Sequence, residues 1–158
     1  MNELWQMDIF DLTRYQREND GFRYLLVSVD VFSSKAFVAP IKDKTPVEVR
    51  RGFDILIKDV KPRSILSDHE GSFVSKEFST YLDKLQIPLN VNAVSDHHAL
   101  GIIDNFARRI KTILTTMFVK NKNTKWTDDI NRIIFQYNTM SNTALDGLSP
   151  NDACKKDN

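Results

Sequence analysis

The stretch 24-YLLVSVDVFSSKAFVAPI-41 decides the fold. Residues 24–32 are nearly continuously apolar and rich in β-branched side chains, the composition of a strand covered on both faces. Ser33 and Ser34 break the run and residues 36–41 resume it, so two strands meet across a tight turn. Upstream, Asn19-Asp20-Gly21 is a turn signal, because all three residue types tolerate positive φ. Residues 4–12 (LWQMDIFDL) form an earlier apolar run, interrupted by Gln6, Asp8 and Asp11. Three strands in a meander therefore open the chain.

Downstream, helix and strand alternate. Thr45-Pro46-Val47-Glu48 has the spacing of a capping box with Pro at the first helical position, predicting a helix to about residue 58. Pro62 precedes a short strand at 64–68, and Ser75 can cap a helix reaching about residue 86. Pro88 leads into a strand at 89–93, and helices follow at 98–119 and 126–138. Parallel neighbours need helical crossovers, so this order predicts an α/β fold with a mixed five-stranded sheet flanked by helices.

The totals are those of one ordinary globular domain. The chain has 158 residues, 41% hydrophobic and 27% charged, with five Gly, five Pro and no low-complexity linker. Residues 1–150 read as the domain and 151–158 as a polar tail. No apolar run approaches the roughly 18–20 residues that span a bilayer, and no signal-peptide pattern precedes the first strand. The lone cysteine, Cys154, cannot form an internal disulfide, which fits a reducing compartment. The net charge is +1, from 22 basic and 21 acidic residues, without the basic excess of a dedicated duplex-binding module. Any DNA affinity must come from local patches or from other domains.

Three aspartates stand out by position. Asp8 lies inside the first strand, where propensity and desolvation both disfavour it, so something must compensate. Asp68 ends the fourth strand, and Asp104 lies in the first turns of the long helix. A divalent cation is one such compensation, since hard cations take oxygen ligands. At about 100° per residue, Ile103, Ala107, Ile110, Ile113, Leu114 and Met117 form an apolar stripe along that helix. Asp104, Arg108, Lys111 and Thr115 form a row along its edge. An acid that could hold metal thus shares a face with two cations that could hold phosphate. Taken singly, each residue has a plainer reading: a strand end, a favourable acid near a helix start, a solvated face. The combination in this order is what points to phosphodiester chemistry, which needs positioned charge and metal ions but no nucleophilic side chain.

These segments resemble the retroviral-integrase core family, a branch of the DDE transposases with a ribonuclease-H-like fold. WQMDIFDL resembles the family's first-acid strand, with Asp8 in the acid position. YLLVSVDVFSSKAFVAPI is similar to the second and third strands, and ILSDHEGSFVSKEF to the second-acid segment with Asp68. HHALGIIDNFARRIK resembles the third-acid helix and makes Asp104 the third acid. Thirty-five residues separate Asp68 from Asp104, the family's usual spacing. KWTDDINRIIFQYN and the following GLSP resemble the final helix and closing turn. DHHALGIID in particular is similar to integrases of Polinton (Maverick) elements and virophages.

The resemblance implies a polynucleotidyl transferase with endonuclease activity. Asp8, Asp68 and Asp104 would bind two Mg²⁺ or Mn²⁺ ions, trim the 3′ strand of an element end and join it to target DNA. Arg108 and Lys111 fall where members contact the element's DNA end. His69 and His98 are read as loop residues touching phosphate. The resemblance further implies a homodimeric core, joined through the first and last long helices, working in a host nucleus or viral particle. The zinc-binding module and small DNA-binding domain that often flank this core are absent, so the chain reads as an excised fragment.

Two departures stand out. Members mostly carry Glu at the third position, one methylene longer than Asp104. Glu70 occupies a loop position where Gly is usual, readable as a fourth acid or as a solvated loop residue. His97 and His98 are adjacent, but their spacing matches no zinc motif, and Asp96 is a weaker rival to Asp104. The alternative functions are a purely hydrolytic ribonuclease-H-like nuclease, or a degenerate core serving as a dimerisation or DNA-tethering module.

Overall fold

The structure, a computed structural model, describes residues 2–92 and 100–155. Five strands form one sheet in the order β3-β2-β1-β4-β5. They are β1 (Leu4–Asp11), β2 (Tyr24–Asp30), β3 (Ala36–Ile41), β4 (Ser64–Ser67) and β5 (Leu89–Val91). The meander β1-β2-β3 is antiparallel, whereas β4 runs parallel to β1 and β5 parallel to β4. The mixed five-stranded sheet flanked by helices is thus as the sequence predicts.

The helices are α1 (Pro46–Leu56), α2 (Lys76–Leu85), α3 (Gly101–Asn121), α4 (Ile130–Thr139) and a short α5 (Pro150–Ala153). α1 and α2 are the crossovers into β4 and β5, and they cover one face of the sheet. Their core gathers Trp5, Met7 and Ile9 of β1 with Val49, Phe53, Phe78 and Leu82. α3 and α4 cover the other face, where Phe10, Leu25, Val27 and Val29 meet Ile103, Phe106, Ile110, Leu114 and Ile134. Alternate β1 side chains thus supply opposite cores, as the two-residue period of a strand requires. Among the described residues, no helix is long and apolar enough to cross a membrane.

The caps explain several boundaries. The Thr45 side chain accepts the Glu48 N–H, and Pro46 sits at the first position of α1. The reciprocal half of a capping box is not made. The Glu48 carboxylate instead accepts the Lys42 N–H at 2.8 Å and pairs with Arg51, while the Thr45 N–H donates to Asp43. Ser75 caps α2 through the Phe78 N–H.

Three segments differ from the sequence reading. A 3-10 helix at Thr13–Asn19 fills the connection after β1, where the sequence predicts only a turn. α4 begins at Ile130 rather than 126, because Asn19 holds the preceding segment: its Oδ1 accepts the Trp126 and Thr127 N–H groups at 2.8 and 3.0 Å. The helix expected from 98 is described from Gly101, and His98 lies outside the described residues.

Candidate active site

Asp8 lies in the central strand, one residue past the last β1–β4 pair, Met7↔Ser67. Asp68 lies one residue past that same pair on β4. The two acids therefore occupy equivalent steps just past the end of the parallel β1–β4 pairing, Asp8 where β1 runs on against β2 alone and Asp68 at the carboxyl end of β4, the rim where open α/β sheets bind ligands. Asp104 lies in the first turn of α3, which packs over this face of β1.

Asp8 is half-buried, and its Oδ1 accepts the Ile9 N–H at 2.7 Å. Burial pushes its pKa up from 3.8 to about 6; the Ile9 N–H opposes this, the negative charges of Asp68 and Asp104 add to it, and Lys111 again opposes it. Asp8 thus feels both other acids and one cation of α3.

Asp68 and Asp104 are exposed. Asp68 Oδ1 accepts the Glu70 N–H at 3.1 Å. Asp68 and Asp104 each lie within electrostatic reach of Asp8, but the three carboxylates do not converge. Among the described residues, no three His, Cys, Asp or Glu side chains stand close enough together to hold a metal ion.

Arg108 is exposed and its Nη1 donates to Asn105 Oδ1 at 3.3 Å. Lys111 is exposed with its ammonium 5.6 Å from the Phe10 ring centroid. Both stay on the outward edge of α3. His69 is exposed beside Asp68. His98, His97 and Asp96 fall outside the described residues.

Glu70 has a definite role of its own. Its carboxylate pairs with the Lys44 ammonium at 2.6 Å, and its carbonyl accepts the Phe73 and Val74 N–H groups. It ties the loop after Asp68 to the β3–α1 connection. A carboxylate already paired with an ammonium is a poor candidate for a fourth metal ligand. The sequence offered no signal for Lys44, which is 26 residues away in the chain.

Comparison with known proteins follows the same lines. Residues 1–97 match the integrase core domain family, a span that includes Asp8 and Asp68 and stops short of α3. The chain belongs to the integrase core domain family. An uncharacterised transposon-derived protein of Caenorhabditis elegans is 26% identical over 148 residues, covering 92% of this chain. The chain spans about half, 51%, of that relative's length.

Among solved structures, the integrase catalytic core domain of HTLV-2 in complex with magnesium superposes with a TM-score of 0.77 at 22% identity. That match covers 96% of this chain and 95% of the HTLV-2 domain. A dimeric form of the same domain gives 0.76 over 94% of this chain and 93% of its own. A simian T-cell lymphotropic virus intasome, in complex with a PP2A regulatory subunit, gives 0.76 at 22% identity, covering 87% of this chain and 48% of the matched chain. The ribonuclease-H-like fold of an integrase core is thereby shown.

Proposed function

We propose that the chain is the catalytic core of a DNA integrase or transposase, performing metal-dependent 3′-end processing and DNA strand transfer. One observation carries the reading. Asp8 is held half-buried at the rim of the parallel strands, with its pKa raised to about 6 by burial and by the charges of Asp68 and Asp104. A strand acid pressed by two further acids gains most from an added cation, and three carboxylates are the donor set a hard divalent ion prefers.

Asp8, Asp68 and Asp104 would hold two Mg²⁺ or Mn²⁺ ions. Such a pair, when bound, activates an attacking oxygen and stabilises a leaving one. The chain's own residues do the rest. β1 and β4 fix two acids in register, and α3 brings the third. Arg108 and Lys111, along the same helix edge, meet the phosphates of the element's DNA end, with His69 and His98 as further phosphate contacts. In the first reaction, water attacks a phosphodiester near the element's end and leaves a recessed 3′-hydroxyl. In the second, that hydroxyl attacks a phosphodiester of target DNA, forming the new ester bond as the target strand's own P–O3′ bond breaks and its 3′-hydroxyl leaves. Neither passes through a covalent enzyme intermediate.

The finer proposals follow the resemblance. The source is an element of Polinton or virophage type, on the strength of DHHALGIID. The core pairs with a second copy through α1 and α4, where Val47, Ile55 and Phe135 are exposed. It acts on DNA in a host nucleus or viral particle.

The test is Asp8→Asn, assayed with a pre-trimmed DNA end in Mn²⁺. Joined product should disappear while the fold persists. An unchanged joining rate refutes the assignment. A wild type that cuts but never joins pre-trimmed ends favours the hydrolytic nuclease.

A further inference from the structure

We infer that Gln6 is a positioning residue: it pins the first turn of α3 to β1 and thereby sets how Asp104 approaches Asp8. The inference rests on the reading of these acids as a metal-holding set.

The first N–H groups of a helix have no partner within it and need one from outside. Among the described residues α3 has no side-chain cap of its own; the residue at its cap position is Leu100. The Ile103 N–H instead donates to Gln6 Oε1 at 2.9 Å, in a buried bond that spans 97 residues of sequence. Gln6 is 4% exposed. A buried amide is costly unless bonded, and an apolar side chain would fill such a place without that cost. What Gln supplies and an apolar residue cannot is an acceptor aimed at the helix start.

Its place in the strand gives the bond a consequence. Gln6, Asp8 and Phe10 alternate onto the face of β1 that α3 covers, while Trp5, Met7 and Ile9 enter the opposite core. Both neighbours of Asp8 in that row grip α3. Gln6 takes the Ile103 N–H, and Phe10 meets the Phe106 ring at 6.1 Å and the Lys111 ammonium at 5.6 Å. Asp8 stands between the two grips, about 7 Å along the strand from each. Asp104 directly follows the pinned residue. A local cap such as Ser or Asp would satisfy the helix but leave its start able to shift over the sheet. A cap reaching from β1 ties the element that carries the first acid to the element that carries the third. The short reach of Asp at the third position raises the demand on that tie, since misplacement by about 1 Å is felt strongly at a reacting centre.

The experiment compares Gln6→Met, close in shape but without the acceptor, with Gln6→Glu, which keeps an acceptor oxygen. Gln6→Asn, which retracts the amide by one methylene, serves if the Met variant does not fold. Amide exchange at Ile103 should quicken about tenfold in Gln6→Met and stay near wild type in Gln6→Glu. Mn²⁺ titration by calorimetry then covers wild type, Gln6→Met, Asp104→Ala and the double variant. Gln6→Met should weaken Mn²⁺ binding about tenfold when Asp104 is present, the worth of one such bond, and add nothing once Asp104 is gone. Unchanged Ile103 exchange, or equal loss of Mn²⁺ binding in both backgrounds, overturns the positioning role while leaving the metal site standing. A wild type that binds no Mn²⁺ overturns the metal site itself, and the positioning role with it.

Discussion

Asp8 is a residue whose ionisation works against the fold. Its pKa rises from 3.8 unfolded to about 6 folded, so the folded state holds the proton more tightly. The stability this contributes is fully present below pH 3.8 and is lost as the pH rises through 6. At pH 8 the ionised carboxylate therefore costs the metal-free protein on the order of 3 kcal/mol relative to a neutral isostere. Asp8→Asn should be more stable than wild type at pH 8 in a chelator, and the gap should close by pH 4; urea unfolding at both values checks it. A destabilised Asn variant would contradict the account.

Asn19 is the opposite case, a polar residue fully satisfied at 0% exposure. Its Nδ2 donates to the carbonyls of Tyr15 and Thr124, and its Oδ1 accepts from Trp126 and Thr127. Asn19→Ala should cost about 2–4 kcal/mol, because it leaves buried backbone groups unpaired. Chemical denaturation measures it. The sequence marked Asn19 only as a turn former. Three of its four partners, Thr124, Trp126 and Thr127, lie more than 100 residues away, and nothing local announces them.

At the scale of the element, short-range chemistry was well marked and mutual packing was not. Thr45 and Pro46 mark the start of α1 and Ser75 that of α2, because a cap is a contact within four residues. The apolar stripe of α3 correctly included Ile103, Ile110 and Leu114 but omitted Phe106, which is 2% exposed. One angular stripe describes a helix with one neighbour. α3 has two, and Phe106 fills the gap between them, 5.0 Å from the Tyr137 ring of α4 and 6.1 Å from Phe10 of β1. Asp8 and Asp68 could be singled out as a strand residue and a strand end, but their equivalence at one rim needed the β1–β4 register.

Close packing also explains Gly52 in the middle of α1. A Cβ there would come within 2.7 Å of Ile41 Cγ2 and 3.1 Å of Leu26 Cδ2. Helix propensity alone would reward Gly52→Ala by up to about 1 kcal/mol. Overpacking against a β-branched side chain costs about 1–3 kcal/mol. The clash should win, and the variant should melt lower than wild type.

The whole molecule offers apolar surface on both helices proposed to meet a second copy. Val47 and Ile55 on α1 are 64% and 48% exposed, and Phe135 on α4 is 67% exposed. If these faces pair, Phe135→Lys should shift the core from dimer to monomer in sedimentation without lowering its melting temperature. A variant that remains dimeric would move the interface elsewhere.

The proposed chemistry, too, is a property of the whole fold, because the three acids proposed for it come from β1, the end of β4 and α3. The most direct measurement is anomalous scattering from a crystal of the core soaked in Mn²⁺. The account predicts manganese bound by Asp8 and Asp68, with the Asp104 carboxylate turned in to complete the site. Manganese bound elsewhere, or Asp104 facing solvent with an ion seated on the other two, would contradict it.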